Sequence, residues 1–552
     1  MPDTHIDSTP TGAARKTDFD VVIVGAGLAG LYTLHRLRGL GLSAKAYEAG
    51  SGVGGTWFWN KYPGARCDVE SLEYSYAFSD DLQQEWHWPE RYGNQPEILE
   101  YINHVADRFD LRRDIQLNTR VTTAIFDEDT NIWTVQTDQG DTVTARYCIM
   151  ASGNLSTPRV PDFKGVESFT GKWYHSGLWP AEGVDFTGKR VAVIGTGSSG
   201  VQMIPIIAKQ AKHLHVFQRT ANFILPAGNA PMDPNRESTH KADYPARREA
   251  AQHTPFGIGG FPPPTQSALE VPEADRNAAY ESKWQEGGSI SFLYTYTDLL
   301  TNQEANDTAA DFVRNKIRNI VEDAETAELL CPNDHPMGTK RLVLDTGYYE
   351  TFNRDNVTLV NTRKAPIEEI TPTGLRTADA EYEFDAIVFA TGFDAMTGAM
   401  KEIDLRTSTG LTIQDKWEAG PRTYLGLMVA GFPNMFVITG PGSPSVKANM
   451  IVAIEQHTDW IIDCLQHLRA KGVERFEASA QAENDWVQHV NEVADTTLYP
   501  KANSWYVGAN IPGKPRVFMP YVGGYERYKG ICEDVAAKGY EGCVMTAEKA
   551  NV

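Results

Sequence analysis

An apolar run that leads into a glycine-rich turn occurs twice, and this repeat constrains the fold more than any other feature. The first copy is VVIVGAGLAG at 21–30 and the second is VAVIGTGSSG at 191–200. A continuous apolar run is typical of a parallel strand buried on both faces. Gly-x-Gly-x-x-Gly between such a strand and a helix is typical of a turn that holds a pyrophosphate. The sequence therefore predicts an α/β fold with two Rossmann-like dinucleotide-binding domains.

Each glycine of the first copy has its own task. Gly25 permits the tight turn, Gly27 lets the backbone approach a pyrophosphate, and Gly30 allows close packing of helix on strand. Glu48 follows the predicted second strand, Ala44–Tyr47, and lies 23 residues after Gly25. A carboxylate there can accept hydrogen bonds from a ribose diol. We expect FAD at this first copy.

The second copy lacks that carboxylate. Its equivalent position holds Gln218, which is followed by Arg219 and Thr220. A carboxylate would repel a ribose 2′-phosphate, whereas an arginine can bind it with two hydrogen bonds. We therefore expect NADPH here. Its remaining expected contacts are the turn and the start of the next helix, namely Gly195, Gly197, Ser198 and Gly200.

Composition excludes several function classes. The 552 residues predict more than one domain, and the formal charge of −21 argues against a nucleic-acid partner. No apolar run is long enough to span a membrane. We expect a cytoplasmic protein that is a monomer or a weak homo-oligomer. The six cysteines are scattered, which favours neither a disulfide framework nor a redox pair beside a flavin. We expect no metal, because His213 and His215 have no third ligand nearby.

Strand and helix patterns predict a discontinuous first domain. The runs Tyr147–Ala151 and Phe384–Ala390 are both expected to return to the flavin sheet, with Thr391 and Gly392 close to the cofactor. Residues 310–330 have a helical pattern. The predicted segments are a disordered tail (1–17), the N-terminal section of the FAD domain (18–160), a linker with the N-terminal section of the NADPH domain (161–231), a helical insert (232–331), the C-terminal section of the NADPH domain (332–385), the C-terminal section of the FAD domain with a substrate loop (386–545) and a tail (546–552).

Three further segments narrow the chemistry. They are GGTWFWNKYPGARCD at 54–68, FTGKWYHSGLWP at 169–180 and GTKRL at 338–342. Together they resemble the type I Baeyer–Villiger monooxygenases, especially members that act on phenylacetone, steroids and large-ring ketones. The resemblance extends from about residue 19 to 545. Related flavin-containing monooxygenases and N-hydroxylases share the glycine turns but usually end the aromatic segment differently from Trp179-Pro180.

The resemblance implies a mechanism and its residues. NADPH reduces FAD, O2 adds to the reduced flavin, and the flavin peroxide converts a ketone to an ester or lactone, with sulfoxidation as a further activity. Arg341 is then the catalytic cation, Asp68 pairs with it, and Lys340 also contacts the 2′-phosphate. A peroxide anion in a dry site needs a fixed cation, and arginine stays charged. Further implied FAD contacts are Gly55, Trp57, Asp68 and Tyr74.

Phe169, Gly171, His175 and Trp179 form the aromatic signature. A lone histidine here is either a general base or a packed polar residue, and the reaction needs no strong base. We expect His175 to act as a hinge in the linker between the two domains, coupling NADPH binding to domain rotation.

The resemblance places the substrate pocket at Ser445, Val446, Lys447 and Trp505. Relatives tend to carry an apolar residue where this chain has Lys447. This lysine is expected either to point to solvent or to admit a polar or keto-acid substituent.

Two alternatives to ketone oxygenation remain. A flavin peroxide also oxidises sulfur and nitrogen, and a flavin protein with two dinucleotide domains could serve as an NADPH redox sensor. Asp68 and Arg341 count against the sensor, because signalling needs no charge that stabilises a peroxide.

Overall fold

The computed structural model describes residues 16–547 and contains two large β-sheets, the first mixed and the second parallel, with a glycine-rich turn after a central strand of each. Most of the two predicted tails lies outside these residues. Residues 546 and 547, expected to begin a tail, instead complete the last strand. In chain order the strands are β1 (Phe19–Val24), β2 (Ala44–Tyr47), β3 (Ile115–Gln116), β4 (Val121–Asp127), β5 (Ile132–Thr137), β6 (Thr142–Met150), β7 (Lys172–His175), β8 (Arg190–Ile194), β9 (His213–Gln218), β10 (Ile224–Pro226), β11 (Val343–Asp345), β12 (Val357–Asn361), β13 (Ile367–Thr371), β14 (Gly374–Thr377), β15 (Glu381–Glu383), β16 (Ala386–Phe389), β17 (Asp404–Thr407), β18 (Met435–Val437), β19 (Val473–Ala478) and β20 (Cys543–Ala547).

The helices alternate with strands at both glycine turns and form an uninterrupted series in residues 232–331. None in residues 16–547 is long and apolar enough to cross a membrane. In chain order they are α1 (Leu28–Gly39), α2 (Thr56–Trp59), α3 (Asp80–Glu85), α4 (Gln95–Arg108), α5 (Ser198–Gln210), α6 (Pro234–Ala242), α7 (Tyr244–Gln252), α8 (Glu273–Glu286), α9 (Ser289–Leu293), α10 (Gln303–Ile320), α11 (Ala324–Leu330), α12 (Tyr348–Thr351), α13 (Gly398–Lys401), α14 (Ile413–Lys416), α15 (Met450–Ala470), α16 (Ala480–Asp495) and α17 (Tyr525–Ala537).

The first sheet has the order β17-β4-β5-β6-β1-β2-β3, and β18 also pairs with β6. Strand β1 is parallel to both of its neighbours, β2 and β6. Helix α1 packs against this sheet through Leu31, Leu34 and Leu37, which are almost completely buried. This strand–turn–helix unit confirms the α/β arrangement predicted around the first glycine turn.

The second sheet has the order β12-β9-β8-β16-β7, and every pairing in it is parallel. Strand β16 lies between β8 and β7, so the expectation that Phe384–Ala390 completes the flavin sheet is wrong. A buried apolar run shows that a strand is parallel and central, but it does not identify the sheet. The strands that return to the first sheet are β17, which pairs with β4, and β18, which pairs with β6.

The aromatic signature is part of this second sheet. Strand β7 contains Lys172–His175 and pairs with β16 at the sheet edge. The segment predicted as a linker thus contributes the edge strand of the second sheet.

Residues 232–331 contain six helices, α6 to α11, and no strand. The predicted helix at 310–330 is divided, because α10 ends at Ile320 and α11 begins at Ala324 after an Asp323 cap. Buried residues of these helices, including Tyr280, Val313 and Ile317, pack into the same hydrophobic core as β8 and α5.

Candidate active site

A cavity of about 920 Å³ opens between the two glycine-rich turns. Gly25 and Gly27 line it from the first sheet, and Gly195 and Gly197 line it from the second. In open parallel sheets, ligands bind beyond the carboxyl ends of the strands. The two turns therefore bring two potential dinucleotide sites to one cavity.

The geometry of the first turn requires glycine. Gly25 has φ +106°, and a Cβ there would lie 2.6 Å from the carbonyl oxygen of Ala151. A Cβ on Gly30 would lie 2.1 Å from the oxygen of Gly25, so Gly30 allows the close packing expected of it. No side chain caps α1 after Gly27, which leaves its first N–H groups available to a pyrophosphate. The turn fits the adenine dinucleotide moiety of FAD.

Glu48 lies at the end of β2 and is almost completely buried. Its carboxylate accepts hydrogen bonds from the backbone N–H groups of Ala26 (2.9 Å) and Gly50 (2.7 Å). Each carboxylate oxygen has a second lone pair. Because Glu48 also lines the cavity, these remaining lone pairs can accept hydrogen bonds from the hydroxyl groups of a ribose.

Gly55, Trp57 and Tyr74 line the cavity next to the first turn. A Cβ on Gly55 would lie 3.0 Å from the Cα of Gly27, so the two backbones touch. The Trp57 indole N–H donates to the Tyr74 hydroxyl (3.1 Å). This contact fixes both aromatic rings in the wall of the cavity.

The second turn has the same construction. Gly195 has φ +112°, a Cβ there would lie 2.5 Å from the oxygen of Ala390, and one on Gly200 would lie 2.2 Å from the oxygen of Gly195. Helix α5 begins at Ser198 without a side-chain cap. The position equivalent to Glu48 holds Gln218, whose amide donates to the Leu329 carbonyl (2.7 Å).

A group of cations lies beside the second turn. Arg219, Thr220 and Lys340 all line the cavity. Burial, aided by Arg219 and Arg363 and opposed by Asp334, lowers the pKa of Lys340. The charge of Arg219 acts on Lys340, so these two cations lie near each other beside the second turn. This chemistry fits the 2′-phosphate of NADPH.

Asp68 and Arg341 form the predicted pair in the cavity wall. The guanidinium donates from Nε to Asp68 Oδ2 and from Nη2 to Oδ1, each at 2.7 Å. Its Nη1 donates to the carbonyl oxygen of Val446. Burial alone would raise the pKa of Asp68, but the ion pair with Arg341 holds it below its usual value. Burial alone would lower the pKa of Arg341, yet Asp68 raises it above its usual value. Both groups are therefore charged at any working pH.

The signature histidine is fully buried and does not line the cavity. His175 Nδ1 accepts from the N–H of Gly177 (3.1 Å), so the ring proton lies on Nε2, next to Thr391 Oγ1 (3.2 Å). Thr391 donates to the carbonyl of Arg159 (2.7 Å), and burial lowers the pKa of His175 to about 4. A neutral histidine thus connects β7 to Thr391, which lines the cavity with Gly392.

The other signature residues are structural contacts. Trp179 packs in the core of the second sheet, and Phe169 packs on the opposite face of that sheet. A Cβ on Gly171 would lie 2.5 Å from the Phe169 ring.

Two of the four predicted pocket residues are misplaced. Val446 and Trp505 line the cavity, but Ser445 and Lys447 do not. Residues 445–447 form a 3₁₀ turn, in which successive side chains point about 120° apart, so only Val446 faces inward. Ser445 instead accepts a hydrogen bond from Asn154 Nδ2 (2.6 Å).

Lys447 is half-buried and does not line the cavity. Its ammonium lies 4.2 Å from the Tyr499 ring centre and 4.9 Å from that of Tyr506. Burial and, secondarily, the charge of Arg341 lower its pKa to about 7, against the opposing effect of Asp68. The expectation that Lys447 lines the substrate pocket is therefore wrong, because its ammonium packs against the two tyrosine rings.

Sequence reasoning missed several residues that complete the site. Tyr62 donates to Gln202 Oε1 (2.8 Å) and joins the first turn region to α5. Asn154, Arg159 and Asn510 also line the cavity. Tyr62 lies within the quoted segment 54–68 and Gln202 lies one turn into α5, so both were detectable by position.

The fold and the shared cavity define a two-dinucleotide flavoprotein oxygenase, and residues 18–230 match the family model described as flavin-binding monooxygenase-like. A Baeyer–Villiger monooxygenase of Pseudooceanicola batsensis is 44% identical over 96% of this chain and 97% of its own. A solved structure of an oxidised steroid monooxygenase bound to NADP is 52% identical, with a TM-score of 0.91 over 96% of this chain and all of that one. A phenazine N-monooxygenase of Lysobacter antibioticus is 41% identical over 97% of this chain and 99% of its own.

The chain belongs to the family of Baeyer–Villiger monooxygenases. It is thus a monooxygenase of the flavin-dependent class, and the resemblance stated from the sequence segments is confirmed.

Proposed function

We propose that this protein uses FAD, NADPH and O2 to convert ketones to esters or lactones. The observation that carries the proposal is the Asp68–Arg341 pair in the wall of a cavity reached by both glycine turns. A redox sensor would need both turns but has no use for a fixed guanidinium between them. FAD, once reduced by NADPH, supplies oxygen from O2 in activated form.

We propose that Arg341 is the catalytic cation. Its charge stabilises an anion in the cavity, and its raised pKa prevents it from giving up a proton. Asp68 orients the guanidinium by its two hydrogen bonds, and the Val446 carbonyl holds the remaining nitrogen. Val446 and Trp505 border the space left for the ketone.

The two turns bind different cofactors in this proposal. The residues that hold FAD are Gly25, Gly27, Gly30, Glu48, Gly55, Trp57 and Tyr74. Those that hold NADPH are Gly195, Gly197, Ser198, Gly200, Arg219, Thr220 and Lys340, with Thr391 and Gly392 between the two cofactors. His175 transmits NADPH binding through Thr391 and acts as a hinge residue.

Heteroatom oxygenation is the second candidate. It is favoured by the phenazine N-monooxygenase that aligns over nearly the whole chain.

All six cysteines are unpaired, which supports the cytoplasm as the compartment of the protein. We also propose that the protein is a monomer or a weak homo-oligomer.

One incubation separates these functions. Purified FAD-loaded protein is mixed with NADPH, air and a panel of ketones, sulfides and aromatic amines, and products are identified by mass spectrometry. Ester or lactone supports the main proposal, whereas sulfoxide or N-oxide without ester supports the second candidate. NADPH consumption that yields hydrogen peroxide with every substrate class contradicts both.

A further inference from the structure

A second arginine lies at the proposed phosphate site, and the sequence motifs do not include it. Arg363 comes two residues after β12 ends at the carboxyl edge of the second sheet. Its Nη2 donates to the hydroxyl of Thr220 (3.2 Å), and the preceding Thr362 lines the cavity. The guanidinium is therefore within reach of any anion held by Thr220, Arg219 and Lys340.

The carboxylate of Asp334 also binds Arg363. Arg363 Nη2 also donates to Asp334 Oδ2 (2.5 Å), and Asp334 Oδ1 is 2.6 Å from His335 Nδ1. The hydrogen bonds from His335 and Arg363 hold the pKa of Asp334 well below its usual range, so it is anionic. The same charge acts on Lys340, whose pKa it raises against the effect of burial.

We propose that Arg363 binds the 2′-phosphate of NADPH and that Asp334 competes with the phosphate for it, so that this pair sets the preference for NADPH over NADH. The proposal rests on the proposed binding of NADPH at the second turn. A phosphate dianion offers Arg363 a stronger partner than one carboxylate, and Asp334 repels a phosphate but not the 2′-hydroxyl of NADH. Arg363 therefore increases the preference for NADPH over NADH, and Asp334 decreases it.

The contrasting view is that Arg363–Asp334 is an ordinary surface ion pair. The Arg363 side chain is 58% exposed and that of Asp334 is 30% exposed, and such pairs contribute little. In that case neither residue would distinguish NADP+ from NAD+. If the two residues compete as proposed, replacing Arg363 should weaken the binding of NADP+ and replacing Asp334 should strengthen it, with no effect on NAD+. An ordinary surface ion pair does not predict this result.

Isothermal titration of FAD-loaded protein with NADP+ and NAD+ tests this without turnover. Arg363→Ala should raise the Kd for NADP+ about five- to tenfold, as expected for one partly exposed charged hydrogen bond, and leave the Kd for NAD+ within about twofold. Asp334→Asn, which still accepts from His335, should lower the Kd for NADP+ about threefold and leave NAD+ unchanged. Arg363→Lys should lie between wild type and Arg363→Ala.

Arg354→Ala is the matched control, because this exposed arginine precedes β12 at its opposite end. It should change neither Kd. Equal effects of Arg363→Ala on both nucleotides, or none, would overturn the competition while leaving the proposed function intact. If wild type binds NAD+ as tightly as NADP+, the assignment of NADPH to the second turn fails first, and the role of Arg363 fails with it. Flavin absorbance and melting temperature confirm that each variant is folded.

Discussion

Asp68 and Arg341 are 273 positions apart in the chain, yet their side chains meet in two parallel hydrogen bonds of 2.7 Å. Asp68 comes from the loop after α2, and Arg341 lies two residues before β11. The pair therefore fastens the first glycine-turn region to the segment that also carries Lys340. A change at either residue is expected to affect chemistry in the cavity more than the binding of FAD.

Arg341→Ala removes the cation from the cavity. We expect the variant to retain FAD and to oxidise NADPH slowly, but to lose ester formation by at least about 100-fold, since an anion there is no longer stabilised. Measuring the amount of ester formed per NADPH consumed shows whether NADPH oxidation continues without ester formation. Arg341→Lys, which keeps the charge but not the paired hydrogen bonds, should recover some of the yield. Appreciable ester from Arg341→Ala would disprove its catalytic role.

Arg219→Ala addresses the second turn. The KM for NADPH should rise about tenfold or more, whereas that for NADH should change little, because only NADPH carries the 2′-phosphate that arginine binds with two hydrogen bonds. Steady-state rates with both nucleotides measure this. Arg190→Ala, at the opposite end of the second sheet's strand β8, serves as the control. Equal loss with NADPH and NADH would exclude NADPH as the ligand of this turn.

Local patterns predicted the features of the fold that depend on neighbouring residues. Strand β2 has the predicted bounds, strands β1 and β8 contain the apolar runs predicted to lead into the two turns, and the glycines have the required backbone geometry. The Asp68–Arg341 pairing came from the family resemblance, because no spacing rule connects residues so far apart.

The errors have a common cause in non-local packing. An apolar run cannot show that β16 pairs with β8 rather than with the first sheet. The direction of Lys447 depends on a 3₁₀ turn and on two tyrosines from a segment some fifty residues later. Arg363 is recognisable only once folding brings it to Thr220 and Asp334.

Lys447 gives a substrate test. Because its ammonium lies between Tyr499 and Tyr506 and does not line the cavity, it should not select charged substrates. Lys447→Met should change kcat/KM for a keto acid and for a neutral ketone of equal size by the same factor, within about twofold. A selective loss of the keto acid would show that the ammonium reaches the substrate.

Lys447 also gives a pH test of stability. Its pKa is about 7 in the folded protein, mainly through burial and then the charge of Arg341, against about 10.4 when unfolded. The unfolded chain thus binds the proton more strongly, and the penalty for Lys447 is complete below pH 7 and disappears as pH approaches 10. Lys447→Met should raise the apparent melting temperature at pH 6.5 more than at pH 9.5, as followed by flavin fluorescence. Lys447→Arg stays charged at both pH values, so its destabilising effect should not disappear as the pH rises. A lower melting temperature of Lys447→Met at pH 6.5 would contradict the expectation.

His175 predicts a loss of stability in acid. Burial holds its pKa at about 4 in the folded protein, whereas the unfolded side chain titrates near its ordinary value of about 6.5. The unfolded state therefore binds more protons as pH falls below about 7, and the free energy of unfolding should fall by about 2 kcal/mol between pH 7 and pH 5 through this residue alone. His175→Asn keeps an acceptor for the Gly177 N–H but cannot titrate, so urea unfolding should show a loss about 2 kcal/mol smaller over that interval. His253→Asn, at a side chain that is 59% exposed, is the control. Identical pH slopes for wild type and His175→Asn would mean that His175 is not held neutral by its buried contacts with Thr391 and Gly177.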